Sequence, residues 1–414
     1  MMKKKSQGTH IIVVCTGLHG FVGHEFTYTK LVERSLPQGV GFEVWGREDA
    51  SSAVSDEFKF QPVFSRISYT QEDPLHMKVW SLLKREAIWY FEFRRAVARY
   101  RESSSNNYRT IFLLHTFSLY NTWLWLFFAR SLRKDNTELA LLFRYSSVLL
   151  PKPLRRPFNG LVAKFPRMTR RHIYLTDSHR LRDEYLSNTG LELAVLPVPV
   201  ELPPARATRH AQRELGQRLR ISYLGAARSD KGFAELPGIV EAVLNSEFAS
   251  RVEFCIQASA SGAGYLEKEC RQATEELKRI QSSERGGEVR LLDKPLDESE
   301  YKALLADSDL ILLPYTGRSY TVQTSGILIE AAVYQVPCIV PKGTWLEDEL
   351  AITGGGVAFD SGEPGSAGRA VLQVLRSYDT YAHRASAGGQ IIAERHGHDA
   401  FARALQKNLL LRSA

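Results

Sequence analysis

Leu310-Ile-Leu-Leu-Pro-Tyr315-Thr-Gly-Arg-Ser-Tyr320-Thr-Val-Gln323-Thr-Ser325-Gly326-Ile327-Leu-Ile-Glu330-Ala-Ala332 is the stretch that decides the fold. Its first five residues are an apolar run of strand length. A polar loop follows, and then a segment that is apolar on every side except for one acid. Strand, loop and buried helix in that order are the signature of a parallel sheet wound with crossover helices. Ser325 and Gly326 stand at the predicted helix amino terminus, where free N–H groups and the helix dipole favour an anion. Glu330 follows Gly326 by one turn and shares its face. A carboxylate in so apolar a helix requires a partner, and both hydroxyls of a ribose would serve.

About 90 residues upstream the pattern recurs as Ile221-Ser-Tyr-Leu-Gly225-Ala-Ala-Arg228-Ser-Asp-Lys231-Gly232-Phe233. A buried strand ends at Gly225, and two cations lie on the turn before the next helix. Arg228 offers a planar fork and Lys231 a point charge, both suited to phosphate oxygens.

Outward from these segments, short apolar runs alternate with helical stretches along the whole chain. Strands are predicted at 11–16, 42–45, 110–115, 139–144 and 172–176, then at 221–225, 252–257, 289–292, 310–314 and 337–341. One helix is expected at 264–283, and Asp297 with Glu300 forms a capping-box pattern opening another. A chain of 414 residues is long enough for two or three domains, and 44% hydrophobic with 24% charged residues is an ordinary globular composition. The proline-rich stretch near 196–207 separates the halves. The predicted organisation is a Rossmann-like first domain over 1–198, a linker over 199–214, a second domain over 215–387, and a helical tail over 388–414 that crosses back to the first domain. Two doubly wound α/β domains facing across a cleft is the economical architecture, with ligands beyond the carboxyl ends of the strands.

The first strand runs into Thr16-Gly17-Leu-His-Gly20-Phe-Val-Gly23-His24, similar in spacing to the dinucleotide loop of extended short-chain dehydrogenases and sugar epimerases. Those enzymes also need Tyr-x-x-x-Lys, and none of the 17 tyrosines has a lysine four residues later. Gly17 reads as a tight strand-to-helix turn, and Gly20 and Gly23 as a phosphate- or substrate-facing loop. An NAD-dependent epimerase or dehydrogenase is the alternative these glycines keep open.

Taken together, the two later segments resemble the carboxy-terminal domain of a GT-B glycosyltransferase, in glycosyltransferase family 4 and related bacterial polysaccharide enzymes. The resemblance covers residues 220–360 well, through 295–301, 309–315 and 336–340. It is weaker in the first half, through Gly23-His24, His115-Thr116, Arg144-Tyr145, Thr176-Asp177-Ser178 and 196–199. It implies that Arg228 and Lys231 hold the donor diphosphate, with His115 at the end of a first-half strand contacting the donor sugar or placing the acceptor. Ser325, Gly326 and Ile327 would supply backbone contacts, and Glu330 would bind ribose as the second acid of a Glu-x7-Glu motif. Tyr315 belongs to the matched strand end, and Gly20 and Gly23 would close over the donor. Val322 stands where the motif's first acid is expected, leaving Tyr320 or Gln323 to take its contact. Retention of configuration is implied, in synthesis of a surface polysaccharide or glycoconjugate; the alternative raised by Val322 is an inactive binding scaffold.

No metal is expected. Asp307-Ser308-Asp309 precedes its apolar strand, whereas an Asp-x-Asp metal motif follows one. The four cysteines show no Cys-x-x-Cys, and His396 and His398 are too close in sequence to share a helix face. No cofactor is expected beyond a nucleotide-sugar substrate. The apolar run at 11–15 is too short for a signal peptide, so a cytoplasmic protein is predicted, peripheral on the inner face of the membrane. Residues 1–200 carry 29 Lys+Arg against 18 Asp+Glu, and residues 152–171 alone hold seven cations and no acid. A solvated face, anionic lipid, nucleic acid or a phosphorylated substrate would each suit that charge. The expected partners are a nucleotide-sugar donor, a glycan or lipid-linked acceptor and an anionic membrane surface, with no nucleic acid.

Overall fold

A computed structural model describes residues 8–18, 24–65, 75–103, 108–115, 119, 122–132, 137–164, 172–204, 217–259, 267–283 and 288–411. The chain divides into two compact units, Met1–Pro197 with Phe401–Ala414 and Val198–Ala400.

The first unit is built on a seven-stranded sheet in the order β3-β2-β1-β4-β5-β6-β7. Its strands are β1 (Thr9–Val14), β2 (Gly41–Arg47), β3 (Phe60–Phe64), β4 (Arg109–Leu114), β5 (Thr137–Phe143), β6 (Ile173–Thr176) and β7 (Ala194–Val195). β1 runs parallel to both β2 and β4, so Ile11, Ile12, Val13 and Val14 are buried on both faces rather than alternately. One face is completed from the end of the chain. The helix His398–Leu409 packs Phe401, Leu405 and Leu409 into the same core as Ile11, Val13, Tyr28 and Leu31.

The second unit carries a six-stranded parallel sheet in the order β10-β9-β8-β11-β12-β13. Its strands are β8 (Leu219–Tyr223), β9 (Val252–Gln257), β10 (Val289–Leu292), β11 (Leu310–Leu312), β12 (Cys338–Pro341) and β13 (Gly356–Phe359). In each sheet the winding reverses beside the first strand of the unit, between β1 and β4 and between β8 and β11. Loops leaving those pairs splay apart and open a crevice at the carboxyl ends.

All ten predicted strands are present, and three more join them. β3 contains Pro62, which an edge strand tolerates because one side of its ladder is unpaired. β7 is two residues long, and β13 is four residues entered through Gly354 and Gly355. All three are sheet edges or sheet-end strands, with too little apolar pattern to announce themselves. The helix Lys268–Gln281 and the capping box of Asp297 and Glu300 are as expected. The tail is not divided at 388: one helix runs Tyr378–His396, and the break falls at Gly397, whose backbone is extended. Among the described residues no helix is long and apolar enough to cross a membrane.

Candidate functional site

The site of the second unit grows from the strand ends at the β8/β11 reversal. β8 stops at Tyr223, so Gly225 lies in the following loop, where its N–H donates to Gln257 Oε1 at 2.7 Å. Gln257 is fixed in turn by donating from Nε2 to Ser259 Oγ at 3.1 Å. The chain then makes a short 3-10 turn, Ser229–Lys231, and Phe233 closes it by packing its ring on Tyr223 at 5.6 Å. Glu267 accepts the Ser229 N–H at 2.7 Å and anchors the turn from outside.

Gly232 joins this turn to the loop leaving β11. Its φ is +69°, and a Cβ there would lie 1.7 Å from the Pro314 carbonyl oxygen. Across the same seam Thr316 and Gly317 donate their N–H groups to the Asp230 carbonyl at 3.2 and 3.1 Å, and Thr316 Oγ1 donates to the Ser229 carbonyl at 2.9 Å. Two segments far apart in sequence are therefore one rigid rim.

Inside that rim the predicted residues converge. The Lys231 side chain folds back over the strand end, with its Nζ 2.9 Å from where a Gly225 Cβ would stand and 6.0 Å from the Tyr315 ring centre. Ile327 Cδ1 lies 3.3 Å from the same point at Gly225. The ammonium makes no hydrogen bond or ion pair with any described residue. Burial, reinforced by the neighbouring Arg228 charge, holds its pKa down at about 8, against the opposing pull of Asp230 and Glu330. A half-desolvated cation beside a helix amino terminus is a site arranged for an anion.

That helix is Gly326–Val333. Ser325 caps it, accepting the Leu328 N–H at 3.3 Å, and the Tyr315 hydroxyl lies 3.4 Å from the same Ser325 oxygen. Tyr320 packs on Tyr315 with ring centres 4.3 Å apart, and Gln323 is half-buried beyond it. Val322 is buried and apolar where the motif acid was expected.

Glu330 does have a partner: the Tyr301 hydroxyl, on the helix Glu298–Ala306, donates to its Oε2. Burial raises the Glu330 pKa, while the Tyr301 hydrogen bond and the charges of Lys302 and Lys231 oppose that rise. Lys302 is itself held by Glu201 at 2.9 Å and Glu298 at 2.6 Å. Arg228 is more exposed than Lys231 and forms an ion pair with Asp230. Sequence reading missed Tyr301, Asp230 and Gln257. The capping box fixes the phase of the helix Glu298–Ala306, which was the one available signal for Tyr301.

Residue His115 belongs to the first unit, immediately beyond β4. It is fully buried, its ring centre 5.0 Å from that of Tyr28, and Arg144 lies over the same tyrosine at 4.9 Å. Arg144 pairs with Asp177 at 3.1 Å. Burial, with Arg144 adding to it, lowers the His115 pKa to about 3, so the imidazole is neutral at physiological pH. Gly17 sits against the Glu25 carboxylate, with Oε2 2.1 Å from where a Cβ would be, which explains the glycine as a close approach and places negative charge at that turn. Gly20 and Gly23 lie outside the described residues. Among the described residues no group of three His, Cys, Asp or Glu is placed to hold a metal ion.

No family model and no curated protein matches the chain. Solved structures do, over nearly its whole length. Sucrose-phosphate synthase from Thermosynechococcus elongatus is 12% identical, with a TM-score of 0.67 over 96% of this chain and 98% of that one. HepE from Anabaena, solved in complex with UDP, is 12% identical with a TM-score of 0.68 over 98% of this chain and 100% of that one. A glycosyltransferase from Rickettsia africae is 11% identical with a TM-score of 0.63, covering 98% and 99%. The fold is the GT-B fold of glycosyltransferases.

Proposed function

We propose that this protein is a glycosyltransferase that moves a sugar from a nucleoside-diphosphate donor to a glycan or lipid-linked acceptor. The carrying observation is Lys231, a half-buried ammonium that makes no hydrogen bond or ion pair with any described residue, near the capped tip of Gly326–Val333 at the sheet's reversal point. The donor diphosphate would rest on the Gly326 and Ile327 N–H groups and Lys231, and Glu330 would accept from the ribose hydroxyls. Arg228, shared with Asp230, would add charge at the rim. UDP is the first donor base to test, because HepE, which has this fold, was solved with UDP.

The chemistry follows from that charge. The acceptor hydroxyl oxygen bonds to the anomeric carbon as the bond to the β-phosphate oxygen breaks, and the hydroxyl proton passes to the departing phosphate. Attack on the side the phosphate leaves gives retention without a covalent enzyme intermediate. Lys231 and the helix tip stabilise the negative charge that develops on the leaving group, the work a divalent metal does elsewhere. Tyr320 or Gln323 would meet the donor sugar in place of the acid absent at Val322. His115 would act from the first unit as a neutral hydrogen-bonding group. Synthesis of a surface polysaccharide or glycoconjugate at the inner face of the cell membrane is the setting that suits such an acceptor.

The test is a thermal-shift screen against UDP, GDP, ADP, CMP and NAD, repeated with Lys231→Ala. Stabilisation by one nucleoside diphosphate, lost in the variant, supports the proposal and selects the donor. Stabilisation by NAD alone overturns it. Nucleotide binding without transfer to any acceptor would instead mark a binding scaffold, the outcome Val322 makes worth checking.

A further inference from the structure

In the first unit, the helix Lys152–Val162 has two faces of different chemistry. Phe158 and Val162 are buried, whereas Lys152 and Arg156, and Lys164 two residues past the helix end, are exposed, with Pro153, Pro157 and Gly160 between them. Just before this helix a 3-10 turn, Ser147–Leu149, leaves large apolar side chains in water: Val148 is 43% exposed and Leu149 41%, and Leu154 within the helix is 48% exposed. Exposed aliphatic side chains are unremarkable singly; three within seven residues, in a segment with three exposed cations, are not.

The turn is also held in place. Arg155 donates from Nε to the Leu150 carbonyl at 2.9 Å and from Nη2 to the Val148 carbonyl at 2.6 Å. On its other side Ser146 accepts the Val148 N–H at 2.9 Å and donates to Glu184 Oε1 at 2.7 Å. Ser147 also reaches that Glu184 oxygen, at 3.5 Å, so this acid is engaged by serine hydroxyls. Holding apolar side chains out in solvent has no folding benefit, and the brace keeps them there.

We propose that the turn Ser147–Leu149 and the exposed face of Lys152–Val162 dock this protein on an anionic lipid bilayer. Val148, Leu149 and Leu154 enter the boundary between headgroups and acyl chains, and Lys152, Arg156 and Lys164 meet the headgroup charge. Charge complementarity selects this occupant. A second copy of the chain would bring the same cations against themselves. A nucleic acid would satisfy the cations but gain nothing from three exposed aliphatic side chains. The inference stands apart from the nucleotide site, since vesicle binding is measured without any donor.

The experiment is co-sedimentation of the full chain with vesicles of phosphatidylglycerol mixed into phosphatidylcholine, and with phosphatidylcholine alone, over a salt series. Binding to the mixed vesicles alone, weakening as salt rises, is expected. Leu149→Glu/Leu154→Glu should lower partitioning on the order of tenfold or more. Lys152→Gln/Arg156→Gln should lower it about twenty-five-fold, roughly fivefold per cation. Both variants change only exposed side chains, and an unaltered melting temperature with an unaltered UDP response confirms folded protein. No binding to the mixed vesicles, equal binding to both kinds, or binding untouched by either double variant overturns the proposal. So does retention of single-stranded DNA with the same variant profile.

Discussion

Lys231 carries a cost in the folded protein, because burial and the Arg228 charge both disfavour its ammonium. Its folded pKa of about 8 lies below the ordinary 10.5, so the unfolded chain binds the proton more tightly than the native one. Stability therefore rises as pH climbs from about 8 toward 10.5, and below pH 8 the full penalty stands, about 3 kcal/mol. Lys231→Met should raise the melting temperature at pH 7 and lose nucleotide stabilisation, with the thermal gain shrinking above pH 8. An unchanged or lower melting point at pH 7 would mean the ammonium is already compensated. Nucleotide affinity has the opposite slope. On the proposed function the diphosphate needs the ammonium, so binding should weaken above pH 8 in the native protein, whereas in Lys231→Arg, if binding persists, it should not. Transfer rate in Lys231→Ala should fall about 10²–10³-fold, the scale of losing one donor to a developing anion. Glu330 offers a gentler probe. Tyr301→Phe removes the hydroxyl that orients its carboxylate, at a cost near 1 kcal/mol. Nucleotide affinity should drop about fivefold with kcat little changed, and the acid side of the binding profile should move to higher pH. Equal affinity by calorimetry would detach Tyr301 from the site.

At the scale of elements, the rim formed by the loops after β8 and β11 depends on Gly232. An alanine there meets both a left-handed backbone and the Pro314 carbonyl at 1.7 Å, and the Asp230 carbonyl would lose its two N–H donors as the loops part. Gly232→Ala should cost about 3 kcal/mol or more and weaken nucleotide binding together with stability, read by urea unfolding with and without UDP. A variant as stable as the native protein would mean the loops do not need this contact. The same seam shows what sequence could and could not convey. Strand, loop and helix were legible because a parallel strand buried on both faces is apolar throughout, and because Ser325 with Gly326 marks a helix start. Arg228 and Lys231 were legible as two cations on the turn after a buried strand, and Glu330 as an acid in an apolar helix. Their pairing was not: that Asp230 takes Arg228, and that Tyr301 reaches Glu330 from another helix, follows from how crossovers place elements in space. The edge strands β3 and β13 were silent for a different reason, since edges are short and need no continuous apolar run.

For the whole molecule, the chain order and the folding units do not coincide. The first unit lacks part of its core until the last helix arrives. Phe401, Leu405 and Leu409 are fully buried among residues of the first unit, Phe401 meets Tyr28 at 5.6 Å, and Gln406 donates to the Ser35 carbonyl at 2.7 Å. The second unit keeps its own core within Val198–Ala400, which also holds Lys231, Ser325 and Glu330 of the proposed nucleotide site. Leu405→Ala should therefore destabilise the first unit by about 2–5 kcal/mol, the range for a buried leucine. UDP should protect the second unit, because the proposed diphosphate contacts lie there. Hydrogen exchange separates the two effects: Leu405→Ala should speed exchange in β1 and β4 while leaving β8 and β11 slow, and UDP should slow β8 and β11 in native and variant proteins alike. If the variant loosens β8 and β11 equally, the two cores unfold as one, and the ligand's stabilisation then reaches the first unit through that shared unfolding.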